Sequence, residues 1–199
     1  MKNKFRYLTS YVILLIVIFS TVGCSQSVHS GQETTVKVEY NEDGDNKSIQ
    51  SIAHVLKTEF TSPKQKYNDI LKNPNNILKI NGKKVLKASS GSELYQYIED
   101  LYQPYFTNNG FEKFFVGSAF SYTLQSKDIQ IKVDNISIKK NKDDQKNYDF
   151  VVNVKYKKVG GPEKKYKIKG LATLPEEGKI ADITYLDDSG LKEKIEKNS

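Results

Sequence analysis

The sequence predicts a mixed α+β domain in which helices come first and a curved antiparallel sheet follows, with the helices covering one face of the sheet. Two periodicities carry this reading. Across residues 48–105 the apolar positions recur mainly at helical spacing, whereas across 129–185 they recur at alternate positions. A parity change within the first long alternating run adds that the sheet bends.

The first helix starts at Ser48, a plausible cap. Ile49, Ile52, Ala53, Leu56 and Phe60 then share one face. Ser62 and Pro63 have the residue types of a cap and first turn for a second helix, whose apolar positions are Tyr67, Ile70 and Leu71 and which Pro74 closes. Asn81-Gly82 lies between apolar-containing arms and predicts a tight hairpin over 77–86. A third helix starts at Ser92 and carries Leu94, Tyr97, Ile98, Leu101 and Tyr105. Glu93 in its first turn suits the helix dipole, and Pro104 bends or ends it.

The next stretch is dense in aromatics: Phe106, Phe111, Phe114, Phe115, Phe120 and Tyr122. If it closes a cavity rather than a filled core, the lining would come from Tyr97, Leu101, Tyr105, Phe114 and Phe115. A small-molecule binding protein is then the alternative function.

Ile129, Ile131 and Val133 alternate, and Ile136 and Ile138 continue on the other parity, so a bulge is expected near Asp134-Asn135. Tyr148, Phe150, Val152, Val154 and Tyr156 alternate cleanly, and so do Tyr166, Ile168, Gly170, Ala172 and Leu174. Pairing these two apolar faces sets Tyr156 opposite Tyr166, across a three- or five-residue loop at Gly160-Gly161. A last strand carries Ile180, Ile183 and Tyr185. A charged tail over 189–199 follows.

Ahead of all this, Lys2, Lys4 and Arg6 precede an apolar run over 11–19, then small residues, then Cys24, the chain's only cysteine. The run is shorter than the roughly 20 residues a membrane span needs. A basic start, a short apolar segment and small residues make an export signal. Gly23-Cys24 makes it look like a bacterial lipoprotein signal, despite Thr21 where an aliphatic residue is usual. Residues 1–23 would be removed and Cys24 would carry a diacylglyceryl anchor with palmitate-type chains. The polar stretch 24–47 reads mainly as a tether, with one strand-like patch at Val36, Val38 and Tyr40. Such a tether reaches about 25 Å, so the domain over 48–188 would work on the extracytoplasmic side, close to the cell membrane.

Charge is uneven. The whole chain carries a formal +7, and without its first 23 residues +4. Residues 139–169 hold eleven lysines against four acidic residues, so the rest of the processed chain is net negative. Strand alternation turns Lys155, Lys157, Lys165, Lys167 and Lys169 away from the core, with Lys157 near Lys165 and Lys155 near Lys167. Like charges facing each other across strands are unfavourable, which points to an anionic surface or partner. Nucleic acid is not the expected one, because the aromatics alternate onto the opposite face from the lysines.

Catalytic and metal chemistry find little support. His29 falls in the tether and His54 beside a helical stripe, no Gly-rich phosphate loop is present, and Glu59, Glu93, Glu99, Asp100 and Glu112 read as solvated helix faces. No catalytic residue, metal or cofactor is expected.

The helix-corner-helix "VLKTEFTSPKQKY", the paired alternating strands and the closing "GKIADITYLDD" together resemble the nuclear transport factor 2-like fold, a cone-shaped α+β domain. In particular they resemble small Gram-positive lipoproteins that carry it; a cystatin-like single-helix sheet is the structural alternative. The resemblance implies a non-enzymatic lipoprotein that scaffolds or regulates a membrane-proximal assembly through protein contacts. Conjugation-channel subunits of this fold make a transfer or exclusion accessory one specific case.

Overall fold

The computed structural model describes residues 36–41, 44–81, 83–122 and 128–197, all within the compact unit Thr35–Ser199. Cys24, His29 and the leader lie outside the described residues.

Strand β1 (Lys37–Tyr40) is followed by helices α1 (Asn46–Glu59) and α2 (Gln65–Lys72), and then by hairpin strands β2 (Ile77–Ile80) and β3 (Lys83–Leu86). Helices α3 (Glu93–Tyr102) and α4 (Asn108–Gly117) come next. Strands β4 (Ile129–Lys140), β5 (Asn147–Lys158), β6 (Glu163–Thr173) and β7 (Asp182–Asp187) complete the sheet, and α5 (Leu191–Glu196) ends the order. The main sheet runs β1-β4-β5-β6-β7. Its pairings are antiparallel except for β1, which lies parallel to β4 at the edge. The architecture is therefore the expected α+β arrangement, with several helices rather than one contributing to a single core.

That core follows the sequence periodicities. Ile49, Ile52, Leu56 and Phe60 of the α1 region pack with Ile129, Ile131, Ile136 and Ile138 of β4, and with Tyr148, Phe150, Val152, Val154 and Tyr156 of β5. The register of β4 against β5 shifts between Val133 and Asn135. This is the bulge that the parity change predicts, and it lets Ile136 and Ile138 stay buried beyond it. Gly170 sits where a Cβ would come within 2.3 Å of both the Phe150 ring and the Thr184 carbonyl, so β6 needs glycine there to approach its neighbours.

Several local expectations differ from what forms. The α1 cap is Asp45, whose Oδ1 accepts from the Ser48 amide at 2.6 Å; Ser48 instead accepts from the Gly178 amide at 3.0 Å. Ser62-Pro63 does not open α2, because Ser62 is drawn into a bridge with Ile131 of β4 and the helix starts two residues later. Tyr156 faces Lys164, not Tyr166. The Gly161 amide bonds back to the Lys158 carbonyl at 2.9 Å, tightening the turn and sliding the register by two. A shift of two keeps every side chain on its face. Helix α4 had no counterpart in the periodicity reading. Thr107 caps it, accepting from the Gly110 amide at 3.1 Å.

Candidate functional site: the lysine face of the sheet

Alternation places one face of β4, β5 and β6 under the helices and turns the other to solvent. On the outer face the register aligns Lys132, Lys155 and Lys165 in one row across three strands. The next row is Asn135, Asn153 and Lys167, and the one after it Ser137, Val151 and Lys169. Lys157, expected near Lys165, instead faces Glu163 and drops out of the like-charge group. Lys155 faces Lys165 rather than Lys167, and Lys132 joins them. The physical reason for the changed β5–β6 partners is the two-residue slide set by their turn, and Lys132 enters through the β4–β5 register.

The bulge shapes this face. It carries Asp134 to a position where its carboxylate accepts a hydrogen bond from Lys155 Nζ, and that bond holds the Asp134 carboxyl below the usual carboxylate range. Asn153 Nδ2 donates to Asn135 Oδ1 at 2.6 Å, fixing the second row. An open depression of ≈ 480 Å³ is lined here by Asp134, Asn135, Asn153, Lys165, Lys167 and Ser189, among others. Ser189 Oγ donates to the Lys167 carbonyl at 2.9 Å, closing one side. The result is a shallow basic hollow with amide and hydroxyl groups, suited to an anionic surface that lies across it.

The proposed cavity residues pack against other side chains of the core rather than around a common space. Tyr97 stacks on Phe120 at 5.9 Å, Tyr105 on His54 at 4.1 Å, and Phe115 meets Tyr95 edge-on at 5.0 Å. Phe114 packs between Tyr102 and Phe106 at 4.9 and 4.8 Å, and Leu101 is half-buried against the core. A cavity of ≈ 40 Å³ borders Phe114, together with Gly110 and Asp182. It has room for a few waters, against the several hundred Å³ of a typical small-molecule site.

Glu59 requires a correction. Its side chain is fully buried, not on a solvated helix face. Standing at the C-terminal end of α1, it accepts from the Tyr102 hydroxyl and the Phe120 amide at 3.0 Å and from the Tyr122 amide at 3.3 Å. Burial outweighs these three donors and raises its carboxyl to about 7. The amides come from a turn in which Phe120 has a φ of 60°, a left-handed conformation uncommon for such a residue. Rings of Phe60, Tyr122 and Tyr185 close around the cluster. The Tyr122 hydroxyl donates to Asp188 at 3.1 Å, and the buried Tyr185 hydroxyl has no partner. Neither cavity described above borders Glu59. Its geometry ties the 120–122 turn to α1, a structural task. The wheel position held the signal, since Glu59 lies seven residues after Ile52 and three after Leu56, on the apolar stripe.

Among the described residues no group of three or more His, Cys, Asp or Glu is placed to hold a metal ion, and no helix is long and apolar enough to cross a membrane. No family model, curated protein or solved structure matches this chain.

Proposed function

We propose that this chain is a lipid-anchored extracytoplasmic protein, non-enzymatic, with a nuclear transport factor 2-like domain whose open lysine face docks an acidic surface of a membrane-proximal assembly. The observation that carries the reading is the row Lys132, Lys155 and Lys165 on adjacent strands, flanked by Lys167 and Lys169. Like charges set directly opposite each other cost a few tenths of a kcal/mol per pair. An anionic counterpart removes that cost on docking. The absence of exposed aromatic rings among these rows favours an acidic protein surface over nucleic acid. A transfer or exclusion apparatus is one specific case of such an assembly.

The leader and Cys24 supply the address. Strand β1 begins at Lys37, so the linker from Cys24 has twelve residues, 25–36, and a reach of roughly 19 Å, less than the longer tether read from the sequence. The non-enzymatic part of the reading is supported by Glu59, whose carboxylate is engaged by three protein donors away from either cavity.

The test is fractionation of cells producing the chain, combined with cross-linking. Cys24→Ala is expected to move the protein out of the membrane fraction. Lys155→Glu/Lys165→Glu/Lys167→Glu is expected to leave it in the membrane and abolish its cross-linked complex. Unchanged membrane retention of the Cys24 variant overturns the anchor, and a complex indifferent to charge reversal overturns the docking face.

A further inference from the structure

The hairpin β2–β3 is a separate two-stranded sheet standing between α2 and α3. Its register sets Ile77 opposite Leu86, Leu78 opposite Val85, and Ile80 opposite Lys83. Alternation then sends Leu86 toward the core, where it packs, and sends Leu78, Ile80 and Val85 outward at 42%, 51% and 42% exposure. The base is held firmly. The Lys87 amide donates to the Asn76 carbonyl at 2.8 Å, and Asn76 Nδ2 donates to the Ile70 carbonyl at 3.1 Å and to Glu93 at 2.7 Å. A rigidly rooted hairpin thus presents three contiguous aliphatic side chains to solvent. Two-stranded sheets are marginal unless one face is covered.

The charge that the hairpin segment itself carries has one sign. Between residues 73 and 92 the chain holds Lys79, Lys83, Lys84 and Lys87 and no acidic residue. The register puts Lys83 on the same face as the three aliphatic side chains, with exposed Lys79 on the alternate side near the same tip, and apolar side chains beside lysine are the composition of an element that sits in the headgroup region of an anionic bilayer. A protein-binding patch of this size would lean on Trp, Tyr or Arg anchors, and lysine is depleted there.

We infer that the outer face of the β2–β3 hairpin is a lipid-contact surface that seats the domain on an anionic membrane. Leu78, Ile80 and Val85 enter the headgroup boundary while Lys83 beside them, and Lys79 reaching round the strand edge, meet the lipid phosphates. The hairpin emerges from the helical layer, and the sheet lysines lie on the sheet face turned away from the helices. A hairpin in contact with lipid therefore leaves the docking face free for the assembly. The inference rests on the proposed function only in placing the chain at a membrane.

The test uses the full chain carrying Cys24→Ser, with a single thiol introduced by Ile80→Cys and labelled with an environment-sensitive fluorophore. The control thiol is Val116→Cys, at a position 84% exposed on α4. Both chains are mixed with vesicles of pure phosphatidylcholine, or of phosphatidylcholine with phosphatidylglycerol. The Ile80 label is expected to shift to the blue and be quenched by nitroxide lipids on the anionic vesicles alone, while the Val116 label stays aqueous on both. Lys79→Gln/Lys83→Gln is expected to lower the lipid-inserted fraction's apparent affinity on the order of twentyfold, about fivefold per lysine. An aqueous Ile80 label on chains that co-float with anionic vesicles overturns the inference. So does an equal shift on neutral vesicles, or a concentration-dependent shift without vesicles, which would mean that a second copy covers the face. Co-flotation of the Val116-labelled chain reports vesicle attachment separately, and because Cys24→Ser removes the lipid-attachment site, failure at the hairpin leaves the anchor reading to be judged by the Cys24→Ala fractionation alone.

Discussion

Glu59 and Lys155 border the same sheet and meet opposite conditions. Glu59 is a single acid withdrawn from water and compensated by three fixed donors. Lys155 belongs to a row of like charges left in water, of which one makes an ion pair with Asp134. The inner charge is therefore tied to stability and the outer charges to recognition. Removing either kind should move one property and leave the other nearly untouched, which is the way to break or sharpen the comparison.

The largest effect is expected at Glu59. Glu59→Ala strands two buried amides and the Tyr102 hydroxyl, each worth about 1–3 kcal/mol. A loss of roughly 4 kcal/mol or more in urea unfolding follows, enough to unfold much of a marginally stable domain. An effect below about 1 kcal/mol would mean that water or another group replaces the carboxylate.

The pH dependence of stability comes next. Folding raises the Glu59 carboxyl from an ordinary 4.5 to about 7, so between these values the folded chain holds a proton that the unfolded chain has released. Stability from this group is then complete below about 4.5 and falls as pH rises toward 7, by about 3 kcal/mol in total. Glu59→Gln has no proton to lose and should flatten that slope. Urea titrations of both proteins at several pH values check it, and parallel slopes would contradict the assignment.

The smallest stability effect is expected on the outer face. Lys165→Glu turns the Lys155 pairing favourable and adds repulsion toward Asp134, whose carboxyl already feels Lys165. The two nearly offset, leaving stability within about 0.5 kcal/mol of the parent. Recognition is expected to fall sharply in the same variant.

The same contrast explains what could be read in advance. Period-two alternation identified the buried residues of β5 and much of β6, and the parity change located the bulge beside Asp134. Asn81-Gly82 marked the hairpin because residue type alone decides that turn. Features set by tertiary competition were harder to see. Ser62 has the residue type of a helix cap, but its backbone pairs with Ile131 from a distant strand. Glu59 stood on the apolar stripe of its own helix, yet its charge suggested exposure, and the amides that satisfy it come from residues 120 and 122. Helix α4 is crowded with aromatics, which blurred its period, although Thr107 was a legible cap. The two-residue slide of β5 against β6 preserved every face and so left no trace in the pattern, but it moved Lys157 opposite Glu163 and Lys155 opposite Lys165, while the β4–β5 register added Lys132 to the row that matters.

The most direct test of the docking face is a photo-cross-linking amino acid at Val151. Val151 stands half-buried between Ser137 and Lys169 on the outer side of the sheet. In intact cells the Val151 probe should capture one discrete acidic protein of the membrane fraction, and adding Lys165→Glu should abolish that adduct without a change in the amount of folded protein. An adduct that survives Lys165→Glu, or the absence of any adduct from Val151 in membrane-attached protein, would contradict recognition through the lysine row.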